Sequence, residues 1–301
     1  MFGVFMAFCS SLSSKEYHYF IDSSNFQNIT ITSNGGGIFI SNTVFLVAVV
    51  RSSFIRISAL SGGGLYLEGK IVSTLSNYYS YCSASVNGGS VFQTSLVGFS
   101  NHLNNSHISN SYVAEHSNWC LKGGNCLANY VNTSYSTCPN REATGHYYSG
   151  PISNGYRLIS YRNNGKGIYG PFCLVSGTYY HEYCSHINNT VGDLGVIIIW
   201  DGIHVLRCSL FVLNAGVISS SGTGSWNGKG SLLFDSCLFD RNLVGSYTTS
   251  SNCVFNDYNG ENFHDYFMPV TCSISFPATF LGQVSIASSF VIKSLLLVFY
   301  I

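Results

Sequence analysis

Charge is scarce in this chain. Asp, Glu, Lys and Arg make up 9% of its 301 residues, against roughly 25% in ordinary soluble domains. The 13 basic and 13 acidic residues cancel, so no net field steers the chain toward nucleic acid or an anionic membrane surface. Solubility has to come from Ser, Asn, Thr, Tyr and backbone amides. Proline is rare, at 5 residues, and no long stretch repeats apolar residues at helical spacing, which excludes a mainly helical fold. A G-x-S-x-G elbow is missing. The glycine-rich run Gly222–Gly230 (GTGSWNGKG) has neither the Lys-Ser/Thr ending nor the helix that phosphate binding needs.

Hydrophobic residues at 46%, aromatics at 15% and 31 glycines are plentiful. With abundant Val, Ile, Thr and Tyr, they favour strands joined by tight turns around a large core. Eleven cysteines are present. Cys120 and Cys126, with Cys138 nearby, are expected to staple a loop if the compartment is oxidising. Cys208 and Cys237 sit in apolar strand patterns, where a thiol packs as a small hydrophobe. N-glycosylation triplets start at Asn28, Asn104, Asn132 and Asn188. A chain this rich in Asn, Ser and Thr also generates such triplets by chance.

Both ends are apolar. Met1–Cys9 followed by Ser10–Ser14 resembles a secretory signal without its basic start, the alternatives being a truncated start or a buried first strand. Residues 280–301 are long enough to span a bilayer or to serve as a glycolipid-anchor signal. Lys293 is costly there, and the polar interruptions at Gln283, Ser285 and Ser288–Ser289 fit final strands equally well.

Self-similarity carries the fold argument. Phe26–Ile40 (FQNITITSNGGGIFI) and Phe54–Leu67 (FIRISALSGGGLYL) share a β-branched strand, a glycine triplet and an alternating apolar strand. The triplets begin at Gly35 and Gly62, and Gly88–Gly89 follows in Tyr81–Phe92 (YCSASVNGGSVF). Later, Cys208–Gly216 (CSLFVLNAG) and Cys237–Gly245 (CLFDRNLVG) are offset by 29 residues, with a weaker echo at Cys253–Gly260. Tyr81-Cys82-Ser83 also recurs as Tyr183-Cys184-Ser185. A period of about 27 residues fits one coil of a β-helix, with equivalent positions stacked about 4.8 Å apart. The expected fold is all-β: a right-handed, single-stranded parallel β-helix of the kind found in pectate lyases. It is expected over 25–276, with 1–24 as an N-terminal cap and 277–301 as anchor or final strands. Between 101 and 192 the period blurs, which predicts long loops or a broad insertion, the usual place for a binding face in repeat folds.

The motifs Gly35-Gly36-Gly37-Ile38, Gly62-Gly63-Gly64-Leu65 and Gly88-Gly89-Ser90-Val91, with Phe211-Val-Leu-Asn214 and Phe239-Asp-Arg-Asn242, resemble repeats of the polymorphic outer-membrane proteins. Phe39-Ile-Ser-Asn42 fits the second motif as well, although it abuts a glycine run. The resemblance covers about half the chain. It implies a surface protein that takes part in adhesion, as is thought of related repeat proteins in protozoan parasites. Those bacterial proteins end in a membrane barrel for which this sequence has no room, so export through such a barrel is not expected.

β-Helices also host polysaccharide lyases and glycoside hydrolases, whose sites need clustered acids. Here the acids are scattered: Asp193 and Asp201 with His204 close behind, then Asp235 and Asp240 beside Arg241. The dense run His181–His186 (HEYCSH) suggests a metal. In a single strand, however, the odd spacing of its histidines would place them on opposite faces. No catalytic residue, metal or cofactor is therefore expected. The positive signal is tyrosine. Tyr147, Tyr148, Tyr156, Tyr161, Tyr169, Tyr179 and Tyr180 are candidates to stack on sugars or to contact an extracellular protein, the alternative being that they fill the core. The expectation is a non-catalytic, cell-surface or secreted binding protein with no nucleic-acid partner and membrane association through 280–301. A carbohydrate-active enzyme is the alternative.

Overall fold

A computed structural model describes residues 8–9, 17–41, 44–115, 117–139, 144–165, 172–174, 177–191, 196–199, 202–215, 219–221, 230–240 and 248–255. These residues are all-β and wind as a parallel β-solenoid with three long sheets of 11, 12 and 8 strands. One coil shows the plan. Ile71–Leu75 lies in the first sheet, Tyr78–Ser80 and Ser83–Asn87 in the second, and Val91–Ser95 in the third. The pairing at the N-terminal end differs: Phe8–Cys9 runs antiparallel to Tyr19–Phe20. Tyr17–Asp22 already pairs in parallel with Val44–Val50, so the winding starts inside the segment expected to be a cap. The segment 277–301 lies outside the described residues.

The glycine turns stack as their spacing requires. Ile38 pairs with Leu65 and Leu65 with Val91, which puts Gly35, Gly62 and Gly88 in one column. Their φ angles of 69°, 64° and 60° lie in the left-handed region that favours glycine. One residue on, a Cβ at Gly36 or Gly63 would run into the carbonyl oxygen of the glycine one coil away.

The blurred middle keeps its winding. Strands Ser100–Asn104, Asn125–Asn129, Ile152–Tyr156 and Thr178–Glu182 follow one another in the first sheet without a break. Long loops are therefore not what hides the period. Inward positions there carry Asn101, Ser153, Thr133 and Ser160, all buried, in place of the aliphatic residues that mark other coils. The second-half alignment needs correcting by one residue. Arg207 pairs with Asp235 and Leu210 with Leu238, so Cys237 stacks on Ser209 rather than on Cys208. The tripeptides at Tyr81 and Tyr183 mark two different corners of the coil. The expected staple is also absent: Cys120, Cys126 and Cys138 are buried thiols, not half-cystines. Cys208, expected to be a packed thiol, is disulfide-bonded.

Two interior columns explain the Phe-x-x-Asn motif. Phe26, Phe54 and Tyr79 stack ring on ring at 5.1 and 5.0 Å, as do His186, Phe211 and Phe239 at 4.9 and 5.1 Å. Three positions on, Asn163, Asn189 and Asn214 form a buried ladder. The backbone N–H of Asn163 donates to Asn189 Oδ1, and that of Asn189 to Asn214 Oδ1, each at 3.0 Å. The Asn189 amide donates to Ser160 O at 3.0 Å and to Asn214 Oδ1 at 2.9 Å. Asn242, the next expected member, lies outside the described residues, and Phe39 is half exposed in the third sheet, off this column. Asn189→Ala would strand the buried N–H of Asn163 and the donors' other partners. Leaving a buried polar group unpaired costs about 1–3 kcal/mol. A urea midpoint unchanged from wild type would show that the ladder contributes nothing.

Candidate functional site

Each coil turns twice around the short second sheet, and the residues at these corners are unusual. Among the described residues, every non-glycine residue with positive φ falls in one of two columns. The first runs from Ser23 through Asn105, Tyr130, Arg157 and Tyr183 to Asn252. The second runs from Asn28 through Tyr81, Asn110, Tyr135, Arg162 and Asn188 to Leu213. A left-handed non-glycine residue costs on the order of 1–3 kcal/mol and persists only where its surroundings hold it. The hold here is an inter-coil hydrogen bond. The N–H of Tyr130 donates to Tyr156 O at 2.8 Å, that of Arg157 to Glu182 O at 3.0 Å, and that of Arg162 to Ile187 O at 3.0 Å.

In the middle coils these corners present tyrosine and arginine to solvent. Tyr130 and Tyr135 are about half exposed, and Arg157 and Arg162 are exposed. Tyr156 packs edge-on against Tyr130 and against Tyr183, with centroids 5.6 Å apart in both pairs. The Arg157 guanidinium lies 5.6 Å from the Tyr130 ring and 5.5 Å from the Tyr156 ring. At the second corner, Tyr135 packs on Tyr161 at 5.7 Å, and Arg162 lies 5.1 Å from the Tyr161 ring. Two other exposed arginines are paired, Arg51 with Asp22 and Arg207 with Glu182 at 4.0 Å and Asp235 at 3.4 Å. Arg56, earlier in the second column, is exposed with no ion pair among the described residues. Among the described residues, neither Arg157 nor Arg162 is within ion-pair distance of a carboxylate.

The expected tyrosines are thus scattered over the coil. Tyr156 and Tyr161 belong to the two corners. Tyr179 is corrected from surface to core: it is fully buried and stacks on His204 at 4.6 Å, because it points inward from the first sheet. Tyr180, its neighbour, is exposed on the outer face of that sheet. Tyr147 and Tyr148 pair with Cys120 and Leu121 in the third sheet, and Tyr169 lies outside the described residues. Sequence reasoning missed Tyr130, Tyr135, Tyr183, Arg157 and Arg162. Their signal was the pairing of Tyr130 with Tyr135 and of Tyr156-Arg157 with Tyr161-Arg162, five residues apart in each coil.

Of the glycosylation candidates, Asn28 and Asn188 occupy exposed corner positions with room for an attached glycan. Asn104 and Asn132 are half-buried with enclosed Oδ1 atoms, so a glycan there would have to displace packing.

The acids and histidines weighed for the alternative, enzymatic reading do not form a cluster among the described residues. Asp235 is engaged with Arg207, and Glu68 accepts a hydrogen bond from Tyr66 Oη at 2.6 Å. His204 is buried, while Asp193, Asp201 and Arg241 lie outside the described residues. His181 and His186 correct the single-strand reading. The corner at Tyr183-Cys184 separates them, and both point into the core. No group of three or more metal-ligating side chains occurs among the described residues. Above Gly155, the His181 ring fills the space a Cβ would need. Comparison with family models, characterised proteins and solved structures returns no match.

Burial holds the imidazole of His186 down to about 3, and that of His181 to about 3 with help from its neighbours His186 and His204. Both are neutral in the folded protein at neutral pH. The unfolded chain takes up these protons near 6.5 and the folded chain near 3, so stability is full above 6.5 and falls as pH drops between those values. Each histidine contributes a slope of about 1.4 kcal/mol per pH unit. His186→Phe continues the ring stack below Phe211. Urea midpoints measured from pH 7 to pH 4 should fall less steeply for this variant than for wild type. Parallel slopes would show that His186 is not the responsible group.

Proposed function

We propose that the protein is a non-catalytic β-solenoid, displayed on a cell surface or secreted, that binds an extracellular protein or glycan through the tyrosine–arginine corners of its middle coils. The observation that carries this reading is the set of exposed rings and carboxylate-free guanidinium groups held rigidly at left-handed corners. Exposed Tyr and Arg are the residue types that dominate binding surfaces. A surface held rigid before contact loses little entropy on binding. The engagement of Asp22, Glu182 and Asp235 in ion pairs, and of Glu68 with a tyrosine, argues against a carboxylate-based enzyme. The disulfide at Cys208 fits an oxidising compartment. The repeats that resemble those of polymorphic outer-membrane proteins support an adhesive role, with 280–301 as the membrane attachment.

Purified protein applied to arrays of glycans and extracellular matrix proteins provides the test. The double variant Tyr156→Ser/Arg157→Gln should retain the wild-type melting temperature and lose about tenfold or more in affinity for whatever the wild type binds, a loss of about 1.4 kcal/mol. Equal binding by the two proteins would remove the corners as the site.

A further inference from the structure

We infer that these corners bind a linear anionic polysaccharide, a chain bearing carboxylate or sulfate groups on successive sugars, laid along the solenoid axis. This rests on the corner reading above and gives its ligand a chemical class. Charge is the first argument. Arg157 and Arg162, like Arg56 earlier in the second column, face solvent without an acidic partner among the described residues, while Arg51 and Arg207 are neutralised. Glu182, the residue before the corner at Tyr183, is paired with Arg207.

Guanidinium geometry is the second argument. The tyrosine rings hold the two arginines at 5.1 to 5.6 Å. Ring contact leaves N–H donors at the guanidinium edge for the paired oxygens of a carboxylate or sulfate, a fit that a lysine ammonium lacks. Repeat length is the third. Successive coils rise about 4.8 Å, close to the length of one pyranose in a linear chain. Tyr130, Arg157 and Tyr183, one coil apart in a single column, would meet consecutive sugars. An extended acidic peptide repeats its side chains on one face only every two residues, about 6.6 Å, and falls out of step within a few coils. The two corners, separated by a three-residue strand such as Ile159–Tyr161, would flank the chain or contact its neighbouring strands.

The test uses the full chain and a heparin dodecasaccharide, with a neutral cello-oligosaccharide and a polyglutamate peptide of similar length as competitors. Binding is read by calorimetry at fixed salt. Heparin should bind, and Arg157→Gln/Arg162→Gln should weaken it about tenfold or more without moving the melting temperature. Arg51→Gln, at the same left-handed corner but beside Asp22, should leave affinity within about twofold. The inference is overturned if heparin does not bind, if polyglutamate binds as tightly, or if Arg51→Gln loses as much as the double variant. If the neutral oligosaccharide binds and responds to Tyr156→Ser but not to Arg157→Gln, the anionic class fails while the binding surface stands. If no probe responds to any corner substitution, both fall.

Discussion

Backbone hydrogen bonding between successive coils constrains everything else in this molecule. Once each N–H reaches the carbonyl one coil on, every residue acquires a fixed neighbour above and below, about 4.8 Å away. A position is then no longer free to choose its side chain. It must suit the two residues that share its column in volume and polarity, and no coil can bury its apolar face without the next. The Phe211 and Phe239 rings stack because their backbones are locked in register. The same locking forces Gly155 to stay small beneath the His181 ring. Polar columns obey the rule too: Asn189 accepts from Asn163 one coil before and donates to Asn214 one coil after, so it satisfies a neighbour on each side.

This column rule also decides what could be read from the sequence. Gly35, Gly62 and Gly88 were legible because the left-handed angle and the close approach of the next carbonyl both demand glycine, and few residues substitute for it. The interior of the middle coils was not legible. Asn101, Thr133 and Ser160 fill inward places as well as valine does once their amide and hydroxyl groups find partners. Polarity in a sequence reads as a loop, whereas here it reads as a hydrogen-bonded core. The Cys208–Cys237 alignment slipped for a related reason. The inward corner position accepts Ser or Cys alike, as Cys184, Ser209 and Cys237 show, so a cysteine one residue away looked equally good.

The site was legible only in part, and the reason lies in the corners. Left-handed positions ordinarily announce themselves by Gly, Asn or Asp. Asn28, Asn105 and Asn110 follow that custom, but Ser23, Tyr130, Arg157 and Tyr183 do not. Their backbone strain is held by inter-coil hydrogen bonds, which no local sequence signal reveals. Counting tyrosines found Tyr156 and Tyr161. Without the register, the same count also took in Tyr179, whose alternation in the strand turns it inward.

A corner that accepts Ser, Asn, Arg, Tyr, Cys and Leu alike has a functional consequence. The strands and their inward columns set the solenoid's stability, while the outward corner side chains contribute little packing and are replaceable at small cost. Ser23, Arg51, Asn105, Tyr130 and Cys208 occupy equivalent places with nearly the same φ. The fold thus presents two rows of side chains at a regular rise whose chemistry can change from coil to coil without disturbing the core. Concentrating tyrosine and arginine in a few adjacent coils turns part of those rows into an adhesive strip. The strip's spacing is inherited from the backbone, so a ligand whose own repeat matches one coil gains a contact at every step. A ligand with a different repeat gains one contact and then loses register.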